Sequence, residues 1–327
     1  MKRALHLVLS FILIVAYVSV HAQQEGFNCF TMIAGKDATV DGSVIIAHNE
    51  DDHGKNLVNW FRVPRKQHQP GETLTVSTGA VIPQVETTYG YMWLEMPGQK
   101  FADSYINEHG LVVTSNACRS REDQPELTDG GIGYWLRRLI AERASSAREA
   151  VEVAGELIEK YGYASSGRTY SVADNNQAWV ISVVNGKHWV AQRVPDNQVM
   201  VIPNYYTIRH VNLDNEEVFM GSPDLISYAK ERGWYDPQAD GAFNFRKAYG
   251  NPRTLASDGN IPRKWRGLEL ITGREYEMEA SYPFAVRAND KLEISDFMKV
   301  LSDHYEGTEW DESQHYRNGE PHNHGVN

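Results

Sequence analysis

Cysteine is nearly absent from this chain: only Cys29 and Cys118 occur in 327 residues. That scarcity excludes a disulfide-dense scaffold and a zinc site built on several thiolates, and leaves open a single disulfide between the two. Positive charge is also scarce, with 32 Lys and Arg against 43 Asp and Glu. The formal net charge of −11 excludes general nucleic-acid binding, which needs clustered cations to displace counterions. Internal repeats, low-complexity linkers and any second apolar run able to span a bilayer are missing as well. What is present is an ordinary globular composition, 41% hydrophobic and 23% charged, long enough for one large domain or two ordinary ones.

The one long apolar run stands at the start. Lys2 and Arg3 precede Leu5 to Val20, and small residues follow, with Val20 and Ala22 at the −3 and −1 positions of a cleavage site. Residues 1–22 therefore read as a secretory signal, in competition with a membrane anchor for which the run is short. A short propeptide, 23–28, and a body, 29–308, follow. A polar tail, 309–327, carries His315, His322 and His324 and reads as solvated rather than as a metal site. The expected product is exported, periplasmic or secreted, free of the membrane once the signal is removed, with no metal or other cofactor. A homo-oligomer is left open.

Along the body, Cys29-Phe-Thr-Met-Ile-Ala reads as a strand, Asp41-Gly42 as a hairpin turn, and Ser43 to Asn49 as the returning strand. Further strands are expected at Tyr89 to Met96, Ser104 to Ile106 and Leu111 to Ser115. The period then becomes helical from Ile132 to Tyr161, broken at Ser145-Ser146 and stopped at Gly162. Strands return from Thr169 to Ile202, and helices are expected near Pro223 to Arg232 and Ser295 to Asp303. Hairpins, then helices, then hairpins specify an α+β class with antiparallel sheets covered by helices, not a parallel sheet.

Cys29, a few residues beyond the cleavage site, has three readings. It is a buried or disulfide-bonded structural residue, a lipidation site, or a nucleophile. Gly26-Phe27-Asn28 makes a poor lipidation motif. As an N-terminal nucleophile, Cys29 needs the preceding residues removed, which leaves a thiol and an α-amine on one residue. An α-amine titrates at about 7.7–8.0, so near neutral pH it can take the thiol proton.

Cys29-Phe-Thr-Met-Ile-Ala-Gly-Lys-Asp-Ala-Thr-Val-Asp-Gly-Ser43 with Ile-Ile-Ala-His-Asn-Glu-Asp51 resembles the opening of the dipeptidase A and secernin family of thiol peptidases. That family belongs to the N-terminal nucleophile superfamily with choloylglycine hydrolase and penicillin V acylase. Asn107 to Asn116, Ala173-Asp174, Ala178-Trp179, His188 to Pro195, Asn204, Ile208-Arg209 and His304 to Thr308 fit the resemblance in order. It implies an αββα sandwich, self-cleavage before Cys29, and hydrolysis of small peptides or N-acyl amides. By the same resemblance, Asp51 orients the amine, Asn116 donates to the oxyanion and Asn204 lines the site as a further catalytic polar group. Turn, cap or solvated roles compete for these three residues.

Two departures from the family pattern stand out. His48 occupies the place where the related hydrolases carry Arg, and an imidazole cannot reproduce a fixed guanidinium charge. His48, Asn49, Arg209 and Arg246 are accordingly the candidate substrate-binding residues. The sequence also ends soon after Thr308, which leads to the expectation of a C-terminally shortened sandwich. The leading expectation is an exported cysteine dipeptidase working through a thioester. A bile-salt or N-acyl amide acylase is one alternative, and a non-catalytic exported binding protein with a Cys29–Cys118 disulfide is the other.

Overall fold

The computed structural model describes residues 29–50, 58–95, 102–257, 259–278, 281–311 and 313. The expected signal and propeptide, Asp51 and nearly all of the tail after 311 lie outside these residues. The strands are β1 Phe30–Ala34, β2 Ile45–Asn49, β3 Asn59–Val63, β4 Lys66–Gln67, β5 Thr73–Thr75, β6 Val81–Pro83, β7 Thr87–Thr88, β8 Tyr91–Glu95, β9 Ala102–Asn107 and β10 Val112–Ala117. After helices α1 Trp135–Arg143 and α2 Ala147–Tyr161 come β11 Arg168–Ala173, β12 Ala178–Val183, β13 Trp189–Arg193, β14 Val199–Ile202 and β15 Phe219–Gly221. The chain continues with α3 Leu225–Glu231, α4 Phe245–Tyr249, α5 Pro252–Leu255, α6 Ile261–Thr272 and α7 Ile294–Leu301.

Two antiparallel sheets carry the architecture. The smaller has the order β14-β1-β2, and the larger, among the described residues, has eight strands in the order β15-β13-β12-β11-β10-β9-β8-β3. Strand alternation sorts their side chains into layers. Val113, Tyr170, Val172, Trp179 and Ile181 of the larger sheet pack against Leu136, Leu139, Val151 and Ile158 of α1 and α2. Its opposite face, through Ala173, Ala178, Val180 and Val190, meets Ile33, Met200 and Ile202 of the smaller sheet. The outer face of the smaller sheet, through Phe30, Met32 and Val201, packs on Leu268 and Ile271 of α6 and Phe297 and Val300 of α7. The result is an αββα sandwich in which β1 is buried on both faces. Each large apolar side chain taken out of water there contributes about 1.5–3 kcal/mol.

Local chemistry sets the elements that matter most. Ser146 caps α2 by accepting from Glu149 N at 3.2 Å, and Gly162 ends it at φ 79°. At Gly267, mid-α6, an added Cβ would sit 3.1 Å from Phe30 and 3.3 Å from Val201. The missing side chain lets α6 lie close on β1 and β14. No helix among the described residues is long and apolar enough to cross a membrane.

Candidate active site

Cys29 is wholly buried at the entrance to β1, the central strand of the smaller sheet. Its thiol donates to Glu50 Oε1 at 3.4 Å, and the other Glu50 oxygen lies 3.3 Å from His48 Nε2. His48 faces Thr31 across the β1–β2 register, and its Nδ1 is 2.7 Å from the Thr31 hydroxyl. The Thr31 hydroxyl donates to Asn116 Oδ1 at 2.6 Å, and Asn116 Nδ2 donates to Ile202 O at 2.9 Å. A continuous polar chain thus runs from the thiol through Glu50, His48, Thr31 and Asn116 into the neighbouring strands.

Proton bookkeeping orients this chain. Ile202 O can only accept, which fixes the Asn116 amide and makes its oxygen the acceptor from Thr31. The single Thr31 proton is then committed, so His48 Nδ1 must donate to it. His48 Nε2 then faces Glu50 Oε2 at 3.3 Å, in a pair whose side chains are 4% and 11% exposed.

On the other side of Cys29 stands Arg263, on the first turn of α6. Its Nη1 donates to Cys29 O at 3.0 Å, Nη2 to Asn204 Oδ1 at 2.9 Å and to Asn260 Oδ1 at 2.6 Å, and Nε to Gly259 O at 2.6 Å. Asn260 returns a bond to Asn204 O at 3.3 Å and accepts from Asn204 N at 3.0 Å. Asn204 is 7% exposed, and its Nδ2 has no partner among the described residues. A buried amide donor left open, on a residue joined to Cys29 O through Arg263, is a group able to receive developing negative charge.

The structure links His48 to the Cys29 thiol through Glu50, Asn116 to His48 through Thr31, and Asn204 to the Cys29 carbonyl through Arg263. Asn49, whose side chain alternates to the opposite face of β2, donates to Leu301 O at 2.9 Å and ties β2 to the end of α7. Arg246 lies further along, over the Tyr205 ring, and Arg209 donates to Tyr282 O. Glu50 and Arg263 were not singled out as site residues by the sequence. Glu50 stood inside the quoted Asn49-Glu50-Asp51 run, whereas Arg263 lies on α6, which apolar periodicity did not reveal.

Cys29 and Cys118 are not joined by a disulfide, which corrects the disulfide alternative. The Cys29 thiol is turned to Glu50, while the Cys118 thiol points to Pro203 O at 4.0 Å within the core between the sheets. Burial pushes the Cys118 thiol up to about 12, so it is an inert apolar filler. Among the described residues no cluster of three or more His, Cys, Asp or Glu could hold a metal ion.

The sequence matches the profile of Peptidase family C69 over residues 28–324. It is 29% identical over 296 residues to a probable dipeptidase of Latilactobacillus sakei, covering 86% of this chain and 62% of that one. It is 28% identical over 306 residues to a probable dipeptidase of Salmonella dublin, covering 90% and 70%. With a dipeptidase of Bifidobacterium longum (strain NCC 2705) it shares 29% over 322 residues, covering 86% and 60%. The chain thus spans 60–70% of the length of these relatives. Among solved structures, a Caenorhabditis elegans ortholog of N-acylethanolamine-hydrolyzing acid amidase is similar at a TM-score of 0.35, with 13% identity over 86% of this chain and 89% of that one. A variant of conjugated bile acid hydrolase from Clostridium perfringens is similar at 0.34, with 11% identity over 66% and 63%.

Proposed function

The chain belongs to peptidase family C69, and from that membership we propose that it is a cysteine dipeptidase whose nucleophile is the Cys29 thiol. The observation that supports this most is the arrangement around Cys29: a thiol at the start of a buried strand that donates to Glu50 of the His48–Glu50 pair, with the Cys29 carbonyl held by Arg263, which also holds Asn204. The relatives named dipeptidases supply the substrate class.

In this reading, cleavage of the Asn28–Cys29 bond frees the α-amine, which accepts the thiol proton. Asp51 holds that amine. The thiolate attacks the peptide carbonyl, and the oxyanion that forms is met by the open Nδ2 of Asn204. Asn116 is already engaged with Thr31 and Ile202, so it serves chiefly to set the position of β1. The amine leaves with the proton returned from the Cys29 α-amine, and water then resolves the thioester. Cleavage of the N-terminal segment follows export, in which residues 1–22 act as the signal.

The test is a dipeptide panel assayed beside N-acyl amino acids and conjugated bile salts, with the adduct on Cys29 identified by mass after rapid acid quench. Dipeptide turnover with an acyl mass on Cys29, abolished in Cys29→Ala, supports the proposal. Turnover confined to bile salts or N-acyl amides would reassign it to the acylases.

A further inference from the structure

The segment that leaves β14 places its side chains alternately. Tyr206 and Ile208 enter the core between the sheets. Tyr205, Thr207 and Arg209, the residues between and beside them in sequence, each carry a buried polar atom with no partner among the described residues: the Tyr205 hydroxyl, Thr207 Oγ1 and Arg209 Nε. Arg246 Nε is a fourth. The backbone joins the two arginines, since Phe245 N donates to Arg209 O at 2.8 Å and Arg246 N to Ile208 O at 3.0 Å. The Arg246 guanidinium lies 4.4 Å from the centre of the Tyr205 ring.

This grouping is costly as it stands. Arg246 is 8% exposed, and its only hydrogen bond from the guanidinium among the described residues is a long one of 3.5 Å to Leu255 O. The Arg209 guanidinium has one of 3.3 Å, to Tyr282 O. Burial, and then the like charge of Arg209, disfavour the charged form of Arg246. No carboxylate of the described residues pairs with either. Two neighbouring cations and two hydroxyls, desolvated and unmatched, are the donor set an anion would complete.

The position identifies the anion. Asn204, next to Tyr205 in the chain, shares the Arg263 guanidinium with the Cys29 carbonyl. One guanidinium therefore bridges the carbonyl of the nucleophilic residue and the residue that precedes this row. We infer that Tyr205, Thr207, Arg209 and Arg246 form a carboxylate site that holds the free C-terminal carboxylate of the peptide whose scissile carbonyl faces Cys29. The inference rests on the hydrolase reading above and deepens it: the site selects short peptides ending in an acid, and it excludes their amides.

The processed full-length protein tests this with a matched pair, Ala-Ala and Ala-Ala amide, by the rate at which the internal peptide bond is cleaved. The expected result is a preference for the acid of at least tenfold in kcat/KM, carried mainly by KM. Arg246→Gln and Arg209→Gln should each bring the acid-to-amide ratio towards one. Because both substrates are read on the same protein, a general loss of folded enzyme cancels from that ratio. Equal cleavage of acid and amide by the wild type would overturn the carboxylate site while leaving the hydrolase standing, and is also the result expected if an inorganic anion filled the site. A wild-type preference unchanged in both variants would likewise overturn it. Cleavage of no peptide at all would overturn both readings.

Discussion

The Thr31 hydroxyl donates to Asn116 Oδ1 at 2.6 Å, joining the strand that follows Cys29 to the facing sheet. Both groups are fully buried, so the bond is also the point at which the nucleophile's position is referred to the rest of the fold. Thr31→Val keeps the shape and removes the proton donor, leaving Asn116 Oδ1 and His48 Nδ1 without their partner. The expected cost is about 1–3 kcal/mol, read as a lower denaturant midpoint at unchanged slope. Activity should fall further than stability, because displacement of β1 moves the thiol. A variant with wild-type midpoint and turnover would remove Thr31 from the account.

Arg263 makes its contacts as a fork, with Nη1 on Cys29 O and Nη2 on Asn204 Oδ1. Lysine retains the charge and loses the geometry. Arg263→Lys should therefore lower kcat by about a hundredfold, the order of loss expected when a catalytic constellation is misplaced by an ångström. Steady-state kinetics of the variant, with circular dichroism as a fold control, decide this.

Lys264, beside Arg263, is buried and donates to Val201 O at 2.6 Å, and burial lowers its pKa to about 7. In the unfolded chain it holds its proton up to about 10.4. Between those values the unfolded state binds more protons, so this group lowers stability as pH falls from about 10 to about 7 and then adds no further change. Lys264→Met removes that dependence, at the expense of one hydrogen bond. Denaturant unfolding at pH 9.5 and at pH 7 should show the variant gaining on the wild type at the lower pH, by on the order of a few kcal/mol. A constant difference between the two pH values would contradict a neutral, buried Lys264.

The two thiols should differ in kind. Cys118 is fully buried with its thiol raised to about 12, so it should resist alkylation in the native state and react only on unfolding. Cys29, once it is the first residue, should be alkylated readily, with loss of activity in proportion. Peptide mapping after iodoacetamide treatment checks both.

Local signals carried a large part of this fold. The hairpin of β1 and β2, the break at Ser145-Ser146 and the stop at Gly162 each rest on residues close in sequence, and each stands where the pattern placed it. α6 did not show itself, since Pro262, Arg263, Lys264, Arg266 and Gly267 interrupt its apolar spacing. Those same residues make the helix useful: Gly267 allows the close approach, and Arg263 and Lys264 are paid for by bonds to Cys29, Asn204 and Val201. Glu50 was hidden for a related reason. Its role depends on the register between β1 and β2, which sets His48 opposite Thr31 and leaves the next turn of chain over the thiol.

The central claim is that Cys29 acts as an N-terminal residue, and the intact mass of the purified, active protein tests it most directly. The account predicts a polypeptide beginning at Cys29, and a Cys29→Ala variant that keeps residues 23–28 and hydrolyses nothing. A wild-type protein that begins at Gln23 and still cleaves dipeptides would contradict it.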